Sequence, residues 1–89
     1  MVTIKKMLLD VLKPHEPGIF KVASEIARLG ENYCAKISVI ELDKQTETLK
    51  IEITGDALDF DLIVSTLNGM GASLHSVDEV VAINEKEKG

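Results

Sequence analysis

Hydrophobic residues along this chain recur at two different periods, and the order in which those periods alternate restricts the fold more than any motif does. Residues 3–13, TIKKMLLDVLK, repeat every second position, the period of a half-buried strand. Met7, Leu9 and Val11 fall on one face; Ile4, Leu8 and Leu12 fall on the other, beside Lys6 and Asp10. Pro14 ends the run, because it lacks an N–H and biases Lys13 to extended backbone. Over residues 17–30, PGIFKVASEIARLG, the period becomes helical: Ile19, Val22, Ala23 and Ile26 make one stripe, with Phe20 and Ala27 beside it. Pro17 suits the first helical position and Gly30 the residue beyond the last. Residues 33–43 and 47–54 alternate again and flank a short connection, Lys44–Gln45–Thr46, which reads as a hairpin.

If Asp43 pairs with Glu47 in that hairpin, Val39 faces Ile51 and Ile37 faces Ile53 on one side. Ser38 then pairs with Glu52, Ile40 with Lys50, and Leu42 with Thr48 on the other. A second helical stripe follows at Phe60, Ile63, Val64, Leu67 and Met70. Asp56, Asp59 and Asp61 crowd its start, where carboxylates accept free N–H groups, and Gly69 and Gly71 close it. Residues 73–83, SLHSVDEVVAI, form a last strand whose alternation slips near Val77–Asp78, which predicts a bulge there. Strand, helix, strand, strand, helix, strand, joined by right-handed crossovers, gives an α+β sandwich of ferredoxin-like topology. It has a four-stranded antiparallel sheet in spatial order 4-1-3-2 with both helices on one face. The chain of 89 residues holds one such domain, residues 1–84, and a charged flexible tail, 85–89.

Composition narrows the function classes. The net charge is −5, with five Lys and Arg against three Asp and Glu in residues 1–29 and five against twelve in residues 30–89. Such an acidic surface repels phosphate backbones and anionic lipid, so nucleic acid and membranes are poor partners. The lone Cys34 can form neither an internal disulfide nor a multi-cysteine metal site, which fits a reducing, cytoplasmic setting. No apolar run is long enough to span a bilayer.

The expected topology leaves one sheet face without helices, and on the expected register that face carries Ile4, Leu8, Leu12, Ile40 and Leu42. Burying five such side chains would rival the whole stability of a small domain, so this face is expected to meet a second copy of the chain. The same topology gathers Asp10, His15, Glu16, Asp43, Thr46, Glu47, His75 and Ser76 at one end of the sheet. Asp10, Asp43 and Glu47 are oxygen donors of the kind that Mg²⁺ or Ca²⁺ prefers. The alternative is that the hairpin acids are simply solvated and that Asp10 and His75 bond each other for structural reasons.

Catalysis is not expected. On a regular strand His75 points away from Ser76, and Cys34 has no histidine nearby in sequence. The aromatics that RNA-recognition domains use, the paired cysteines of metal chaperones and the loop arginine of acylphosphatases are all missing from the corresponding segments. A small-molecule sensor that binds a metabolite between subunits remains the alternative to a purely structural oligomer.

LDVLKPHEP (9–17), ELDKQTE (41–47), ITGD (53–56) and LHSVDEVVA (74–82) together resemble a small archaeal family known only as a domain of unknown function. The resemblance runs from Ile4 to Ala82. It implies ferredoxin-like subunits closed into rings of six or seven, with no established activity and no catalytic residues to transfer. It also implies that the polar end of the sheet faces a neighbouring subunit. His15, Glu16, Glu41, Thr46, His75, Ser76 and Asp78 would then form an inter-subunit seam, with Asp10, Asp43 and Glu47 available to a divalent cation.

Overall fold

A computed structural model describes residues 1–86. Six elements follow in the expected order: β1 (Val2–Pro14), α1 (Ile19–Ala27), β2 (Cys34–Leu42), β3 (Thr46–Thr54), α2 (Phe60–Gly69) and β4 (Ser73–Asn84). The sheet order is β2-β3-β1-β4 with every neighbouring pair antiparallel, which is the expected order read from the other edge. Of the charged tail expected over 85–89, residues 87–89 lie outside the described residues. Glu85 is tied back to the start of the chain, its N–H donating to the Met1 carbonyl at 2.8 Å.

The two central strands build the core. Met7, Leu9 and Val11 of β1 and Leu49, Ile51 and Ile53 of β3 are fully buried under Val22 and Ile26 of α1 and Ile63 and Leu67 of α2. The two helices place apolar side chains at i and i+4, so each presents one stripe to the sheet. Asp59 caps α2, its side chain accepting the Leu62 N–H at 3.1 Å. The helix closes at Gly71, whose φ of +79° a side chain would strain, while the Ala72 N–H returns to the Leu67 carbonyl at 3.0 Å. At α1 the boundary lies further in than expected: Gly18 is the N-cap and Pro17 precedes it.

Four irregularities decide which side chains share a face. On β4 the bulge expected near Val77–Asp78 is present, with Asp78 left over between the Leu8–Glu79 and Leu9–Val77 pairs. His75 is left over in the same way between the Asp10–Ser76 and Val11–Leu74 pairs, and Lys5 on β1 between Ile4 and Lys6. On β2, Ile40 is left over between the Val39–Leu49 and Glu41–Thr48 pairs.

These bulges correct the expected apolar face. Because Lys5 is an extra residue, Ile4 swings toward the helices and packs against the core. Because Ile40 is an extra residue, Leu42 pairs with Glu47 and stands on the helix-covered side. The hairpin pairs Leu42 with Glu47, where Asp43 was the expected partner, and further along Ile37 with Ile51 and Ser38 with Lys50. Of the five residues expected on the open face, Leu8 and Leu12 are the two that stand in its regular rows. They are surrounded by charge. Lys6 bridges Glu52 and Glu79 at 3.4 and 3.5 Å, and Lys50 reaches Asp78 at 2.7 Å.

Candidate functional site

The end of the sheet to which the sequence directs most of its polar residues is divided by the sheet itself. Along β1, Asp10 and Leu12 point to the open face, while Val11 and Lys13 point toward the helices. Each face therefore receives its own half of the expected cluster.

On the helix side lies a charged core. Lys13 continues the Met7–Leu9–Val11 row and is only 1% exposed. A buried ammonium must be paired, and its Nζ sits 2.8 Å from Glu47 Oε1 and donates to the Pro14 carbonyl at 2.8 Å and the His15 carbonyl at 3.3 Å. Lys13 and Glu47 are cross-strand partners, so strand register makes this pair. The second carboxylate oxygen of Glu47 accepts His15 Nδ1 at 3.2 Å. His15 Nε2 lies 2.9 Å from the Asp43 carbonyl and 3.0 Å from the Lys44 carbonyl.

Both ring nitrogens of His15 thus face acceptors alone, an arrangement that the protonated imidazole satisfies at both positions. The Glu47 carboxylate, and after it the Lys44 carbonyl, hold the His15 pKa above its ordinary value. The Lys13 ammonium, and after it His15, hold the Glu47 carboxyl below its ordinary value. The result is a latch: the segment after β1 is clipped to the β2–β3 hairpin through one carboxylate and two carbonyls.

On the open side the strands leave a hollow of about 300 Å³, lined by Asp10, Leu12, Thr48 and His75. Asp10 comes from β1, Thr48 from β3, and His75 reaches it from the β4 bulge. Ser76 and Asp78 stand nearby and are bonded to each other, Ser76 Oγ donating to Asp78 Oδ1 at 2.8 Å. Lys50, and after it Ser76, hold Asp78 below its ordinary pKa; Asp78 in turn raises Lys50.

The three residues proposed to share a divalent cation therefore do not converge. Asp10 is on the open face, Glu47 is on the helix face and already engaged by Lys13 and His15, and Asp43 is in the exposed turn, its N–H donating to the Thr46 carbonyl. Strand alternation is the reason: positions 10 and 47 belong to opposite rows. Among the described residues no group of three or more His, Cys, Asp or Glu is placed to hold a metal. Of the expected seam, His15 is in the latch, Thr46 pairs with Pro14, and Glu16 is exposed. Glu41 is on the open face opposite Thr48, and His75, Ser76 and Asp78 lie along β4. The readable signal for Lys13 is its place as a lysine continuing a buried alternate row opposite a glutamate-bearing strand.

The chain matches the uncharacterised ArCR family DUF211 over residues 5–86. It belongs to that family. An uncharacterised protein of Methanocaldococcus jannaschii, MJ0319, is 44% identical over 79 residues, spanning 89% of this chain and 81% of the relative. The matched span takes in both halves of the divided end, the latch and the hollow, as well as the two outer strands. No helix among the described residues is long and apolar enough to cross a membrane.

Proposed function

We propose that this DUF211 protein is a non-enzymatic, cytoplasmic building block that associates with copies of itself head to tail, closing into a ring. The observation that carries this reading is that both outer edges of the sheet expose apolar side chains. At the β2 edge these are Val39, Ile40 and Leu42, with Phe20 at 91% exposure on α1, the helix that packs against β2. At the β4 edge they are Val77, Val80, Val81 and Ile83, with Phe60 and Leu62 on α2, the helix that packs against β4. The molecule is long and narrow, 53 × 22 × 17 Å, so each edge is extended. Beyond its two bulges the second half of β4, Val80 to Ile83, is a regular apolar edge whose unpaired backbone groups can template another strand.

Two different apolar edges on opposite sides of one sheet favour a heterologous contact, which yields a ring when the rotation closes. A ring of six or seven is the size that the family resemblance implies. The non-enzymatic part of the reading is supported by His15, whose two nitrogens are both committed to structural partners. The free Cys34 supports a reducing compartment. A divalent cation is left out of the proposal, because its expected ligands stand on opposite faces.

Sedimentation or native mass spectrometry tests the assembly. The expected mass is a single multiple of the 9.7 kDa chain, and a monomer at micromolar concentration overturns the reading. Val80→Lys, at an exposed edge position, is expected to release folded monomers; persistence of the full assembly removes the β4 edge from the interface.

A further inference from the structure

We propose that the open-face hollow bounded by Asp10, Leu12, Thr48 and His75 is a binding site for a small primary ammonium ion carrying a short apolar chain. The proposal does not depend on self-association.

The hollow gathers unpaired polar groups of three strands. Elsewhere on this face Lys6 pairs with Glu52 and Glu79, Lys50 with Asp78 and Asp78 with Ser76, while Lys36 and Glu41 are exposed to solvent. Around the hollow, among the described residues, the Asp10 carboxylate, the Thr48 hydroxyl and the His75 ring have no hydrogen-bond or ion-pair partner. Asp10 is half-buried on a central strand and opens onto the hollow. Lys50 is its cross-strand neighbour, yet Lys50 Nζ is drawn to Asp78. Three polar groups of different kinds thus line one space and come from three different strands: a carboxylate, a hydroxyl and an imidazole that accepts a hydrogen bond in its neutral form.

The ligand class follows from sign, geometry and size. Glu41, opposite Thr48 on the open face, and Asp78, on the far side of Asp10, add negative charge that Lys50 offsets in part, so the local field favours a cation. A primary ammonium carries three N–H donors, one for each of the three acceptors. Hard metal ions want six or more oxygens, and the hollow offers one carboxylate and one hydroxyl. Leu12, 44% exposed, supplies an apolar wall for an alkyl chain. The volume of about 300 Å³ sits at the lower end of small-molecule sites.

Titration calorimetry and amide-shift mapping of the full chain with n-butylammonium test this, with tetramethylammonium and Mg²⁺ as controls. The expected result is saturable n-butylammonium binding, with shifts centred on residues 10, 12, 48 and 75. Asp10→Asn should weaken it by about tenfold or more, because a charge-assisted bond is lost while the shape is kept. Thr48→Val should weaken it by a smaller factor. Tetramethylammonium has the charge but no N–H donor and should bind more weakly than n-butylammonium. Failure of n-butylammonium to bind overturns the proposal. So does equal binding by tetramethylammonium or Mg²⁺, or unchanged affinity in an Asp10→Asn variant whose denaturation midpoint matches the parent.

Discussion

The two faces of the sheet are built from the same strands, yet they obey different rules. On the helix side the alternate residues of β1 and β3 form an apolar block that ends in one buried charge, Lys13. On the open side the intervening residues form an ionic lattice around two leucines and a hollow. Ions buried with Lys13 must be paired by fixed geometry, because water cannot replace a missing partner. Ions on the open face remain wet and interchangeable. A charged cluster is therefore structural on one face and available on the other, although the residue types are alike.

The largest expected difference between the faces is in packing. Leu9→Ala, at a fully buried site, should cost about 2–5 kcal/mol in denaturant unfolding, through lost transfer energy and the cavity left behind. The neighbouring Leu8→Ala on the open face should cost clearly less, because Leu8 is only half-buried. Equal costs would break the distinction between the faces.

The next effect concerns the one buried charge. Lys13→Met fills the space but leaves the Glu47 carboxylate without its ammonium and the Pro14 and His15 carbonyls without their donor, so a loss of at least about 1–3 kcal/mol is expected. Adding Glu47→Gln should not double that loss, since the two residues form one pair. Full additivity in the double mutant would show that they act separately.

The smallest effect depends on pH. His15 has its pKa raised in the fold, so its contribution is complete below the ordinary imidazole value and is lost as pH rises through the raised one. Glu47 has its pKa lowered, so its contribution is complete above the ordinary carboxylate value and is lost as pH falls through the lowered one. The latch is therefore strongest in mildly acidic solution, between those two ordinary values. Melting temperature should decline as pH rises from the ordinary imidazole value through the raised one, and His15→Gln should flatten the decline. An unchanged slope in that variant would remove His15 as its cause. Lys50→Ala, which breaks an exposed pair, should leave the melting temperature nearly unchanged.

Much of this was legible in the chain. The two apolar stripes located both helices, period-two alternation located all four strands, and together they gave the sheet order. The slip at Val77–Asp78 revealed one bulge, because alternation visibly changes row there. The row change at Ile40 is also written in the chain, apolar residues passing from positions 35, 37 and 39 to 40 and 42, but an apolar second face gives the same pattern, and the bulges at Lys5 and His75 fall among mixed residues. Their omission put Ile4 and Leu42 on the wrong face and hid how His75 reaches the hollow. The convergence of Asp10, Asp43 and Glu47 failed for a related reason: nearness to one end of a sheet does not specify a face.

Sequence alone determined the elements, their order and the aliphatic core, because hydrophobic periodicity is a local property that each segment carries by itself. Tertiary structure decided the faces. A strand shifted by one residue turns every later side chain to the other side, and that shift is set by the partner strand. The latch of Lys13, Glu47 and His15, and the hollow beside Asp10, exist only because β1 lies between β3 and β4 in the register it does.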